Sequence, residues 1–297
     1  MKAWIEAFRL RTLPLAIACV GMGAVLARDN GHWSLTIFVL TIATTILLQI
    51  LSNLANDYGD SIHGADSVDR QGPSRAVQSG VISKEHMKKA MYICGVLAFT
   101  SGVGLLLASF GDNLKLLFIF LGLGVAAIFA AVNYTAGSNP YGYKGFGDVF
   151  VLLFFGYVGV AGTYFLFAEN IPFDILLPAT SCGLLATGVL NVNNIRDIDS
   201  DLKAGKYSIP VRIGRKKSII YHSFLLFGAI ICAALYTFLN YQGPWQWLFV
   251  LVIPLLGRNL YAVSTITDPK HLDPYLKQLA ASTLVFVILF GVGLLYS

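Results

Sequence analysis

Residues 34–60 read SLTIFVLTIATTILLQILSNLANDYGD. The first 22 of them, Ser34 to Ala55, contain no charged side chain, and about 20 apolar residues in a helix are enough to cross the ~30 Å hydrocarbon core of a bilayer. The stretch then breaks into Asn56, Asp57 and Asp60. An apolar helix that leaves the membrane into a set of acids decides the fold class and shows where to look for chemistry.

The rest of the chain repeats the first half of that pattern. Of 297 residues, 56% are hydrophobic and 12% charged, with a mean hydropathy of +0.68, against roughly 25% charged residues in a soluble domain. Nine spans are predicted near residues 13–29, 34–55, 89–109, 114–133, 148–168, 172–192, 218–239, 246–264 and 278–296. No segment of soluble composition separates them, so the expectation is an all-α integral membrane bundle formed by one domain, 1–297. Cys19, Cys94, Cys182 and Cys232 fall inside apolar stretches without CxxC spacing, as small buried apolar residues do. The start of the chain carries charge but no small-residue cleavage site follows Arg11, so the first span is expected to be retained.

With nine spans, 19 of the 21 Lys and Arg fall on the side of the N-terminus, and only Arg28 and Lys115 on the other. The positive-inside rule puts that basic side in the cytoplasm, as expected for a multi-pass protein of the inner (plasma) membrane. This asymmetry accounts for the net charge of +5, which therefore does not point to nucleic acid. The long loops, about 56–88, 134–147 and 193–217, lie on the same side.

Asn53, Asn56, Asp57 and Asp60 recur at three- and four-residue spacing, on one helical face, and Asp66 and Asp69 follow. The sixth span ends alike: NVNNIRDIDSDLKAGK, residues 191–206, sets Asn193, Asp197 and Asp201 four apart. Carboxylates at a helix C-terminus repel one another and the negative end of the helix dipole, so something positive must compensate. Carboxylate and amide oxygens without His or Cys suit a hard cation such as Mg²⁺, usually held by a few carboxylates, water and substrate phosphates. Two such clusters can clamp a diphosphate through metal. Arg70, Arg75, Lys144, Arg196, Lys203, Lys206 and Arg212 lie in the same loops and offer forks and point charges to phosphate oxygens. Arg196 and Lys206 flank the second cluster.

The loop YTAGSNPYGYKGFGD, residues 134–148, has Gly and Pro for turns and Tyr134, Tyr141, Tyr143 and Phe146 for aromatic surface. Tyr141 and Tyr143 read as a headgroup-level belt, whereas Tyr134, at the start of the loop, reads equally as a pocket residue. His63, His86 and His222 are solitary and are assigned no role. Gly102, Gly104, Gly122, Gly124, Gly156, Gly159 and Gly162 are expected to let helices pack closely.

NDYGD followed by Asp66, then NNIRDIDSD and GK, resembles the UbiA superfamily of intramembrane prenyltransferases over nearly the whole chain. FRLRTLPLA, NLANDYGDSIHGADSVDRQGPSRAVQSG, YTAGSNPYGYKGFGD with FFGYVGVAGT, and NNIRDIDSDLKAGK resemble the branch that prenylates 1,4-dihydroxy-2-naphthoate in menaquinone synthesis. The resemblance implies that Asn56, Asp60 and Asp66 form one metal and diphosphate motif and Asn193, Asp197 and Asp201 the other, with Asp60, Asp66, Asp197 and Asp201 essential to turnover. It implies substrate contacts for Asp57, Arg75, Lys144, Arg196 and Lys206, and a place for Tyr134 near the reacting groups. Two Mg²⁺ ions, a polyprenyl diphosphate donor and an aromatic acid acceptor follow from it. Asp60 and Asp66 are six apart, where many 4-hydroxybenzoate enzymes space the pair by four, and this favours the naphthoate branch; 4-hydroxybenzoate and homogentisate remain the alternative acceptors. Tyr207 and Ser208 depart from a common Thr and Leu. An ion-coupled transporter would need its acids near the bilayer midplane, and a phosphatidyl-type alcohol transferase would need DG and AR dipeptides in its Asp motif. Here the acids fall at helix ends and in loops, which ranks the transporter below the enzyme as the alternative from another class, and the DG and AR dipeptides are missing from the Asp motifs.

Overall fold

A computed structural model describes residues 2–63, 76–133 and 141–297 of the chain. Every regular element among these residues is helical. A short helix, α1 (Lys2–Phe8), precedes α2 (Leu13–Asp29), α3 (Leu35–His63), α4 (Lys84–Phe110) and α5 (Leu114–Asn133). The second half holds α6 (Gly147–Ala168), α7 (Phe173–Arg196), the short α8 (Ile198–Lys203), α9 (Ile209–Leu239), α10 (Pro244–Thr265) and α11 (Pro269–Leu295). The nine expected spans correspond to nine of these runs. Eight are long and apolar enough to cross a membrane, and the ninth, α2, has 17 residues.

Sequence fixes where the helices begin. Ser83 caps α4 by accepting from His86 N at 3.2 Å. Pro210, Pro244 and Pro269 stand in the first turns of α9, α10 and the 3₁₀ turn that opens α11, where a missing N–H costs nothing. Gly111, at φ 49°, ends α4.

The expected spans were too short on the acidic side of the bundle. α3 continues to His63 and α7 to Arg196, and α9 starts at Ile209. Consequently Asn56, Asp57, Asp60 and Asn193 sit on helix rather than in loop. Gly214, at φ 76° and ψ 163°, breaks α9 near its start, so the straight part of that helix begins close to the expected residue 218.

The main core is built by α2, α6, α7, α9, α10 and α11 around Met22, Tyr164, Cys182, Leu185, Phe249, Phe286 and Phe290. Most of the apolar window of α7 is buried against neighbouring helices, while α5 buries none of its own. α7 therefore carries its acidic end to the middle of the bundle, and the large exposed apolar side chains Phe118, Phe129, Phe224 and Phe238 lie on the outward faces of α5 and α9. Gly156 and Gly183 bring α6 and α7 into contact: a Cβ on Gly156 would lie 2.7 Å from the Ala179 carbonyl oxygen and 3.2 Å from the Gly183 Cα. Gly122 and Gly124 have nothing within 4 Å of a built Cβ, so the expected close packing does not extend to them. All four cysteines are free.

Candidate active site

The face that α3 presents at its acidic end divides into two jobs. Asn53 donates to the Phe8 carbonyl and to Thr12 Oγ1, both at 3.0 Å, fastening α3 to the start of the chain. Asp57 accepts from Ala76 N at 3.2 Å and Val77 N at 3.3 Å, one oxygen to each, and so caps the chain returning toward α4. One turn further on, Asp60 Oδ1 accepts from the Tyr143 hydroxyl at 2.8 Å.

The second cluster spans the break between α7 and α8. Asp197 terminates α7 and begins α8, its N–H bonded to Asn193 O at 3.1 Å and its carbonyl to Asp201 N at 2.8 Å, so Asn193, Asp197 and Asp201 keep their four-residue relation across the break. Arg196 turns its fork onto Asp197, Nε to Oδ1 at 2.8 Å and Nη2 to Oδ2 at 2.7 Å. Its Nη2 also reaches Asn193 Oδ1 at 2.9 Å, and its Nη1 reaches Asp273 Oδ1 at 2.9 Å. Lys206 Nζ lies 3.2 Å from Asp201 Oδ1 and 3.1 Å from Oδ2.

A bridge of backbone joins the two clusters. Tyr143, whose hydroxyl holds Asp60, accepts through its carbonyl from Tyr207 N at 2.9 Å, and Tyr207 follows Lys206 directly. Arg212 locks this junction, with Nε to Tyr207 O at 3.0 Å and Nη2 to Lys144 O at 2.7 Å. Gly145 makes the approach possible: its φ is +83°, and a Cβ there would stand 2.5 Å from the Tyr207 carbonyl oxygen. The ammonium end of Lys144 belongs to an exposed residue.

Asp60, Asp197 and Asp201 are only 7%, 4% and 7% exposed, and Arg196 is 3% exposed, so these charges need partners. Burial raises the Asp201 carboxyl above the usual carboxylate value; Lys206 opposes the shift, and the negative Asp197 and Asp60 add to it. The carboxylates of the two clusters thus act within one field. Among the described residues no group of three His, Cys, Asp or Glu stands ready to enclose a metal ion. The site instead offers separate buried oxygens whose mutual repulsion a hard cation would relieve. That fits a cation held by one or two carboxylates and by the oxygens of a phosphorylated ligand.

Asp66, Arg75 and Tyr134 lie outside the described residues. Asn56 and Asn193 are half-buried on the same helices as Asp60 and Asp197. Asp199, placed off the acidic face by its spacing, is exposed. Sequence reasoning missed Tyr143, which it read as part of an interfacial belt, and Asp273, which it did not consider. Position next to Lys144 was the available signal for Tyr143; for Asp273 it was an acid followed by Pro274 and, four residues on, by Lys277.

The model of the UbiA prenyltransferase family matches residues 15–278. The chain belongs to this family. Curated relatives named "1,4-dihydroxy-2-naphthoate octaprenyltransferase" include one from Escherichia coli, 44% identical over 296 residues that cover 100% of this chain and 96% of the relative. Another, from Haemophilus influenzae, is 44% identical and covered to 99% and 96% respectively. The UbiA fold is shared with a solved homologue from Archaeoglobus fulgidus described as bound to DMAPP and Mg²⁺, at 16% identity and a TM-score of 0.58 over 98% of this chain and 99% of that one.

Proposed function

We propose that the protein transfers a polyprenyl group from polyprenyl diphosphate to 1,4-dihydroxy-2-naphthoate, releasing diphosphate and CO₂ and giving demethylmenaquinol. The observation that carries this reading is full-length likeness at 44% identity to relatives named for that activity, joined to a buried acidic site with oxygen donors alone. The protein acts as a single domain in the inner membrane, its acidic end toward the cytoplasm where 19 of 21 basic residues fall.

In this reading Asn56, Asp60, Asp66, Asn193, Asp197 and Asp201 hold Mg²⁺, as two ions. Bound there, Mg²⁺ supplies positive charge to the leaving diphosphate. The chain's own part is electrostatic and steric. Lys206, Lys144, Arg75 and Arg196 complement the negative oxygens of the donor. Asp57 keeps the returning chain in place and Tyr143 fixes the direction of Asp60, while for Tyr134 a role near the reacting groups is what the family resemblance implies. The helices shelter the isoprenoid tail and exclude water, which would otherwise capture an allylic cation.

The acceptor's two hydroxyl groups make its ring carbons nucleophilic. A new C–C bond at the carboxyl-bearing carbon gives a non-aromatic adduct, and loss of CO₂ returns the electron pair of the broken C–C bond to the ring. That step needs no strong base at that carbon. His222 fits this account, being buried and bonded through Nε2 to Asn259 Oδ1 at 3.0 Å as a packing element of the core. Prenylation of 4-hydroxybenzoate would instead add beside the hydroxyl, lose a proton and keep the carboxylate. Membranes containing the protein, supplied with Mg²⁺, a polyprenyl diphosphate and carboxyl-¹⁴C acceptor, should release label in step with product. Retention of label in the prenylated product, or turnover of 4-hydroxybenzoate or homogentisate alone, would overturn the naphthoate assignment.

A further inference from the structure

Asp273 opens the α-helical part of α11, just after its 3₁₀ turn, 77 positions from Arg196 in sequence, and it holds Arg196 Nη1 at 2.9 Å. Its second oxygen lies 3.1 Å from Lys277 Nζ. The Arg196 guanidinium is therefore shared between two carboxylates, Asp197 through a two-pronged fork and Asp273 through a single N–H. It is also buried, so it cannot exchange a carboxylate for water without a large loss.

The oxygens that hold it are the ones at issue. Asp197 and Asn193 both give oxygen to Arg196, and both are cation ligands in the function proposed above. A divalent cation and the guanidinium therefore compete for the same carboxylate. For the cation to win, the guanidinium needs another anion, at least partly shielded from water, close enough to keep it by a small side-chain movement. Asp273 is already in contact, lies outside the acidic repeat, and has its other oxygen occupied by a lysine that limits how much charge it can lend.

We propose that Asp273 is a positioning residue that retains the Arg196 guanidinium when a divalent cation engages Asp197, with Lys277 setting how strongly it does so. This rests on the proposed function, in which Asp197 is a cation ligand. In the cation-free protein Arg196 neutralises Asp197. In the loaded protein it leans on Asp273 and its freed N–H groups face the donor's phosphate oxygens. Removing Asp273 leaves Asp197 as the sole member of this carboxylate pair, so cation binding then takes the remaining carboxylate of that pair from the buried guanidinium.

The test uses the full chain in detergent with a prenyl thiolodiphosphate, whose sulfur bridge resists ionisation, and Mn²⁺ as the cation. The readout is the Mn²⁺ concentration that gives half of the maximal rise in melting temperature. Asp273→Asn should raise it on the order of tenfold or more, because a buried charge left without its partner costs at least 1.4 kcal/mol, one decade in affinity. Asp273→Glu should recover most of the loss. Lys277, whose side chain is 50% exposed, can be changed without threat to folding, and Lys277→Gln should lower the half-saturating concentration by about two- to threefold, since a partly exposed pair is worth under ~1 kcal/mol. Because Lys277 acts through Asp273, Lys277→Gln should change nothing in the Asp273→Asn background.

Unchanged half-saturation in Asp273→Asn overturns the proposal. So does a Lys277→Gln effect that persists in the double variant, which would make Lys277 a general repulsive charge. If Asp273→Asn does not fold, an unchanged or raised value in Lys277→Gln overturns it by itself. A wild-type protein that Mn²⁺ does not stabilise would overturn the divalent-cation reading of the site and this inference with it, whereas a normal wild-type response with the same half-saturation in Asp273→Asn defeats this inference alone.

Discussion

Asn56 and Asp60 on α3 stand four residues apart, as do Asn193 and Asp197 on α7, and in the sequence the two pairs look interchangeable. Folded, they differ in what surrounds them. On α3 the neighbouring polar residues serve as fasteners: Asn53 ties the helix to Phe8 and Thr12, and Asp57 caps Ala76 and Val77, leaving Asp60 to meet Tyr143. On α7 and α8 the acids carry cations from their own segment, Arg196 on Asp197 and Lys206 on Asp201. A repeated spacing therefore reports a shared helical face, and the packing around each copy decides which members reach the site.

The largest expected effect would break any functional difference between the two clusters. Asp60→Ala, Asp197→Ala and Asp201→Ala should each lower turnover on the order of a hundredfold or more, the scale of losing one charged group that stabilises a transition state. Near-normal activity that resists EDTA in the Asp60 and Asp197 variants, measured by prenyl transfer in membranes, would remove both clusters from the chemistry.

Asp57→Ala sharpens the comparison, because its effect should fall on stability. Two backbone N–H groups lose their acceptor, at about 1–3 kcal/mol for each buried group left unsatisfied. The melting temperature should drop by several degrees while activity per folded molecule falls far less than in Asp60→Ala. A rate loss equal to that of Asp60→Ala at unchanged melting temperature would place Asp57 among the reactive acids.

Tyr143→Phe should come next, removing one hydrogen bond to a carboxylate, worth about 1.5–3 kcal/mol, of which only part appears in the rate. A decrease of roughly three- to tenfold in kcat/KM is expected at this scale. Asp199→Ala, at an exposed position beside the second cluster, should change the rate by less than about twofold, as surface substitutions commonly do. A large effect there would show that charge near the site matters more than position on the helix.

How much of this was legible in the sequence follows from the range of each interaction. Apolar runs and helical spacing are local, so the nine helical segments and the shared face of Asn193, Asp197 and Asp201 could be read directly. The ends of α3 and α7 were placed too early because hydropathy falls where the acids begin, although the helical hydrogen bonds continue past them. Tyr143 could not be separated from a belt tyrosine, since its partner, Asp60, lies 83 residues away. Asp57 shares a helical face with Asp60 and was expected to contact substrate; its bonds to Ala76 N and Val77 N, about 20 residues away, could not be read from that local spacing. Asp66, Arg75 and Tyr134 lie outside the described residues and rest on the sequence pattern and the family resemblance.

The long reach of the site's contacts also bears on how the protein is made. Asp60 meets Tyr143 across 83 residues, and Arg196 meets Asp273 across 77. A ribosome delivers the chain from its N-terminus, so helices α2 to α10 precede the residue that holds Arg196. During synthesis the second acidic cluster is complete in composition but lacks its partner from α11. The finished arrangement of charge is therefore one of the last things the nascent chain acquires, and a product truncated before Asp273 enters the bilayer with Arg196 and Asp197 left to each other.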